Sequence, residues 1–110
     1  DRGNTEVSYL YSVFDPAVLR SVEHIIHAAK AANIPVGMCG EAAADERLIP
    51  LLVAYGLDEF SVNPTSISAV KRTLSLWSMN DAKALAERIS ALETESEIRE
   101  ALEAARKAGN

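Results

Sequence analysis

The chain contains one cysteine, one tryptophan, four prolines and five glycines among its 110 residues. A lone thiol, Cys39, forms no internal disulfide and cannot supply a cysteine-rich zinc site, which fits a reducing cytoplasm. Basic residues are in the minority: eleven Lys and Arg against sixteen Asp and Glu leave a net charge of −5. With no basic run, the chain is poorly suited to nucleic acid or to an anionic membrane surface. No apolar stretch approaches the ~20 residues that cross a bilayer, and no positively charged leader precedes an apolar segment. Hydrophobic residues, by contrast, make up 48% of the chain. That is ample for a globular core and excludes a disordered chain of low hydrophobicity. The sequence starts Asp1-Arg2-Gly3-Asn4 without an initiator Met, and its apolar pattern begins within a few residues. It is therefore expected to be a piece of something longer.

The clearest predicted element is a helix opened by Asp15-Pro16. Asp is a favoured N-cap, and proline at the first helical position has its φ preset and wastes no N–H. Val18, Leu19, Val22, Ile25, Ile26 and Ala29 recur on one helical face, and Asn33 followed by Ile34-Pro35 ends it. Residues 35–40 (Pro35-Val36-Gly37-Met38-Cys39-Gly40) read as a short buried strand. Asp45 to Tyr55 reads as a helix with Gly56 as its stop and Pro50 as a bend or a delayed start. Glu59 to Asn63 reads as a second strand, and Pro64 introduces a helix from Ser66 to Trp77. An approximate capping box, Ser78 to Asp81, and a full one, Thr94 to Glu97, precede helices over Ala82–Leu92 and Ile98–Ala108. The last helix carries Glu95/Arg99 and Glu103/Lys107 at i,i+4 over a thin Ile98/Leu102/Ala105 stripe, which predicts a peripheral position.

Strands alternating with helices predict an α/β chain with parallel strands and right-handed crossovers. Two strands do not make a self-sufficient parallel sheet, whose faces and edges both need cover, and a complete (β/α)₈ barrel takes ~250 residues.

The period-two alternation of strands sorts the side chains. Val36 and Met38 share one face with Phe60 and Val62 on the second strand. Gly37, Cys39 and Glu41 share the other with Glu59, Ser61 and Asn63. The apolar side suits packing under helices. In a barrel the small and polar side points inward, with Cys39 and Asn63 at the carboxyl ends where active sites form; doubly wound sheets also bind ligands at carboxyl strand ends. Read from the residues alone, Cys39 fits a small buried filler better than a nucleophile, because its activation needs a base beside it. The only histidines, His24 and His27, lie on the preceding helix and fit flanking positions of its apolar stripe. A thiol with no base beside it stays largely protonated at neutral pH and can donate that proton. Arg2 reads as a solvated charge or as a planar fork for carboxylate or phosphate. Glu41 and Asp45 read as metal ligands or caps, with capping the better fit for Asp45.

Several segments together carry a resemblance. Asp1-Arg2-Gly3-Asn4 is followed by Val7-Ser8-Tyr9-Leu10-Tyr11, by Asp15 to Arg20 (DPAVLR), by Gly37-Met38-Cys39-Gly40-Glu41 and by Gly56 to Ser61 (GLDEFS). The series resembles the C-terminal part of the enzyme I family of the bacterial phosphoenolpyruvate (PEP)-dependent sugar phosphotransferase system, over essentially the whole chain. The GMCGE motif alone is shared with pyruvate phosphate dikinase and PEP synthase, which stand as the alternative within the PEP-utilising class. A non-catalytic, self-associating module is the alternative outside it.

The resemblance implies a C-terminal fragment of a PEP-utilising (β/α)₈ TIM barrel. Residues 1–78 would supply barrel βα units with about two parallel strands, and residues 79–110 two terminal helices. It implies a cytoplasmic phosphotransferase that moves the phosphoryl group of PEP to a histidine and on to a histidine phosphocarrier protein for sugar uptake, releasing pyruvate. Arg2 would contact the PEP phosphate, and Cys39 would protonate the enolate. Gly37 and Gly40 would leave room for substrate. Mg²⁺ is implied as cofactor, with its ligands expected upstream of Asp1, and a homodimer is implied as the assembly. Lacking those ligands and the phosphorylated histidine, the chain is expected to be inactive alone. Two departures from the family pattern, Ala42-Ala43-Ala44 and Asn63-Pro64, fall close to the pocket rim.

Overall fold

The computed structural model describes residues 12–108. Their order is α1 (Pro16–Ala31), β1 (Gly37–Cys39), α2 (Glu41–Ala44), α3 (Ile49–Tyr55), β2 (Glu59–Ser61), a 3₁₀ turn (Pro64–Ser66), α4 (Ile67–Leu76), α5 (Met79–Ser90) and α6 (Glu95–Ala108). The two strands pair in parallel, with Gly37 opposite Glu59, Met38 opposite Phe60 and Cys39 opposite Ser61. The result is a helix-rich α/β unit built around a βαβ motif.

Local chemistry sets the helix ends. The Asp15 carboxylate accepts from the backbone N–H of Ala17 at 2.8 Å and of Val18 at 3.3 Å, as an N-cap does. At the other end of α1, Ile34 N–H donates to Ala29 carbonyl (2.8 Å) and Asn33 N–H to Lys30 carbonyl (3.1 Å). Asn33 takes the left-handed conformation, φ 58°. This is the Schellman arrangement with asparagine in the position usually held by glycine. Thr94 and Glu97 form the full capping box, each backbone N–H donating to the other's side chain at 3.1 Å.

Four predicted elements differ. The strands are shorter than residues 35–40 and 59–63. The helix expected from Asp45 begins only at Ile49, with Pro50 in its first turn. Proline there costs no intrahelical hydrogen bond, so it starts the helix instead of bending it. The residues before it form α2 and a turn. The last helix is not peripheral: Ile98 and Leu102 are each 1% exposed within the main core. Its expected Glu103/Lys107 pair is replaced by Glu103 with Arg106, one residue nearer, while Arg99 Nε donates to Glu95 at 2.7 Å as anticipated.

The core centres on α3, where Ile49, Pro50, Leu51, Leu52 and Tyr55 are all buried. Its broadest contact is with α5, through Ala82, Leu85 and Ile89. Val36, Met38 and Phe60 pack one side of the strand pair onto this core. At ~25 cal/mol per Å² of apolar surface, burying that helix is a main source of stability. It also decides which face of the strands is left outward.

Candidate functional site

The outward face carries the chemistry. Gly37, Cys39, Glu59 and Ser61 are exposed, whereas Met38 and Phe60 between them are half-buried. The expected alternation holds, and it corrects the filler reading of Cys39: its thiol is free and exposed. The pleat is the reason, because an odd-numbered position in β1 cannot turn toward the core while Met38 does.

Cys39 closes β1 at its carboxyl end. The following Gly40 N–H donates to the Ser61 carbonyl at 3.3 Å, continuing the ladder one step past the end of β1. A Cβ at Gly37 would stand 3.1 Å from Glu59 Cβ, so glycine keeps this end of the face thin. Glu41 opens α2 and is exposed, and Asn63 is exposed just past β2. An open two-stranded face is flat, and Cys39 is presented on a surface, not in a pocket. A groove of about 500 Å³ lies elsewhere, between α1, α3 and α5, with Glu23, His27, Tyr55, Lys83 and Glu87 among its walls.

The histidines take no part in the Cys39 face. Both are exposed; His27 meets the Tyr55 ring edge-on at 6.5 Å and places Nε2 3.9 Å from Glu23. Arg2 lies outside the described residues. Among those residues, no group of three or more His, Cys, Asp or Glu side chains is placed to hold a metal ion. Glu41 and Asp45 are not part of any such group.

Residues 1–79 match the family described as PEP-utilising enzyme, PEP-binding domain. The chain belongs to this PEP-utilising family. It is 44% identical over 98 residues to the phosphoenolpyruvate-protein phosphotransferase of Bacillus subtilis (strain 168), covering 89% of the chain and 17% of that relative. The same-named proteins of Geobacillus stearothermophilus and Staphylococcus carnosus (strain TM300) are each 43% identical over 98 residues, with the same coverage. The chain thus spans 17% of the length of the curated relatives it matches. The resemblance carried by DRGN, GMCGE and their neighbouring segments is borne out.

The turn after Cys39 is held by residues that sequence patterning had not joined. Asp45 accepts from Arg47 three times, from its backbone N–H (2.9 Å), Nε (3.1 Å) and Nη2 (2.8 Å). Burial pushes the Asp45 carboxyl up, but the Arg47 hydrogen bonds and charge outweigh that and hold it below the ordinary carboxylate range. Asp45 therefore caps a turn, as preferred. Next to it, Glu46 accepts from the buried Thr73 hydroxyl at 3.0 Å. The Arg47 guanidinium lies 4.5 Å from the Phe14 ring centroid, and that of Arg99, from α6, lies 4.3 Å from the same ring. Only an aromatic residue just before the Asp15-Pro16 helix start, Phe14, hinted at such an anchor in the sequence.

Proposed function

We propose that this chain is the part of a PEP–protein phosphotransferase that supplies the proton donor for pyruvate formation, and that it is inactive without the rest of a barrel. The observation that carries the reading is the position of Cys39, exposed at the carboxyl end of a parallel strand on the polar face. Carboxyl strand ends are where α/β barrels build active sites.

In this reading residues 1–78 are βα units of a (β/α)₈ barrel, and 79–110 are terminal helices closing over them. Transfer of the phosphoryl group to a histidine nitrogen breaks the bond between phosphorus and the enol oxygen of PEP, leaving pyruvate enolate. The Cys39 S–H then gives its proton to the methylene carbon, forming the methyl group of pyruvate. The thiolate left behind is reprotonated from solvent. A positioned general acid contributes about 10²–10⁴-fold. Arg2, from the DRGN segment, holds the phosphate through its two-pronged guanidinium and offsets charge on the transferring group. Mg²⁺, when bound, would offset negative charge on the phosphoryl group, and its ligands would come from outside this chain. The phosphoryl group passes on to a histidine phosphocarrier, and two copies pair through the completed barrel. No helix among the described residues is long and apolar enough to cross a membrane, and a cytoplasmic location fits this reading.

The test is a chimera in which this chain replaces the matching segment of the Bacillus subtilis relative. The chimera is expected to form pyruvate from PEP. Its Cys39→Ala variant should lose about 10²-fold or more of that turnover, and its Arg2→Ala variant should bind PEP more weakly. Unchanged turnover in Cys39→Ala would refute the proton-donor role.

A further inference from the structure

We propose that Arg47 is a positioning residue for Cys39, and that α6 takes part in this through Arg99. The assignment of a catalytic role to Cys39 rests on the function proposed above; the structural coupling does not.

The four residues of α2 (Glu41–Ala44) begin immediately after the Cys39-Gly40 corner. A helix of one turn has no stability of its own, since forming the first turn fixes several dihedrals for little return. Its N-cap, Gly40, sits at φ 89° and offers no side-chain cap hydrogen bond. The corner is therefore shaped by what grips the chain on either side. On the near side is the strand ladder, whose last pair is Cys39 with Ser61, extended by Gly40 N–H donating to the Ser61 carbonyl. On the far side is the Asp45-Glu46-Arg47 triplet, each member of which reaches a different anchor. Asp45 holds Arg47 in a two-pronged pair, Glu46 holds Thr73 of α4, and Arg47 lies over Phe14.

Phe14 is only 4% exposed, so the ring is a fixed point. Arg99 covers it as well and also donates to the Ser12 hydroxyl at 3.0 Å, fastening residues 12–14 to α6. Two guanidinium groups over one ring repel each other. The carboxylates of Asp45 and Glu95, each 2.8 Å or less from one of them, compensate. A planar, delocalised cation suits both the aromatic face and the two-pronged carboxylate, and an ammonium serves only the first in part. Ala43 is fully buried and still seats α2 on the core, so loss of the Arg47 grip loosens the C-terminal end of α2 and, through it, the corner carrying the thiol. Misplacement of a reacting group by about 1 Å costs up to ~10²-fold in rate.

The experiment uses the same chimera with Arg47→Ala, Arg99→Ala and a control, Arg88→Ala, which removes an exposed arginine from α5, away from the Phe14 ring. Deuterium uptake of the peptide containing Gly40 should rise at least tenfold in rate in Arg47→Ala and by a smaller factor in Arg99→Ala. The control should leave it unchanged. Pyruvate formation should show kcat lowered about tenfold in Arg47→Ala with KM for PEP unchanged. If Arg47→Ala fails to fold, Arg99→Ala, on an exposed helix position, decides. Gly40 protection equal to the parent in a folded variant overturns the proposal. Should Cys39→Ala retain full turnover, the proton-donor reading falls, while the Gly40 uptake still decides whether Arg47 holds the corner.

Discussion

Cys39 and Ser61 stand opposite one another at the carboxyl ends of two parallel strands, both on the exposed face, and the next residue, Gly40, donates its N–H to the Ser61 carbonyl. The pairing places the one thiol of the chain at the rim of the sheet and fixes its direction. A shift of register by one residue would exchange it with Met38 and bury it.

The exposure of Cys39 is directly measurable. In the folded chain its thiol should react with an aromatic disulfide reagent within a few-fold of the rate in denaturant. A rate lower by orders of magnitude would place the sulfur inside and contradict the pleat assignment.

Packing of the terminal helix makes a second expectation. Leu102 is 1% exposed and belongs to the main core, so Leu102→Ala should destabilise the chain by about 2–5 kcal/mol. Denaturant unfolding measures it. A loss below ~1 kcal/mol would restore the picture of α6 as a peripheral appendage.

Tyr55 makes the chain sensitive to alkali. Burial, reinforced by the negative charge of Glu23, pushes its phenol up to about 12, whereas a tyrosine in an unfolded chain ionises near pH ~10. Between those values the unfolded state gives up the proton more readily, so stability must fall as pH rises through that window. Tyr55→Phe should flatten the fall. Unfolding curves at pH 9 and 11 compare the two proteins, and an identical loss in both would exclude Tyr55 as its source.

At the acid end the sign is reversed. The folded-state Asp45 carboxyl is held below its ordinary value despite its burial, mainly by the Arg47 side-chain hydrogen bonds. Its contribution is complete above the ordinary carboxylate pKa of ~4 and disappears as pH falls through the lowered one. Asp45→Asn should therefore be less stable than the parent at pH 7, with the difference shrinking toward pH 2. A difference independent of pH would show that charge at Asp45 does not matter.

Much of this protein is written locally. Asp15 and Pro16 start a helix because a carboxylate can accept orphan N–H groups and a proline needs none. Thr94 and Glu97 close a capping box for the same reason, and alternation in GMC and EFS separates Met38 and Phe60 from Cys39 and Ser61. These effects act over two to four residues, so sequence spacing alone determines them. The DRGN and GMCGE segments likewise carried the family. Only the tertiary structure decided the rest. That Ile98 and Leu102 form core depends on which other faces α3 and α5 leave open, and a narrow stripe can be covered completely by its neighbours. That Glu46 meets Thr73, or that Arg47 and Arg99 share the Phe14 ring, depends on contacts between residues tens of positions apart. No periodicity encodes such meetings, because they arise when separate elements are packed together and their polar ends must find partners wherever packing leaves them.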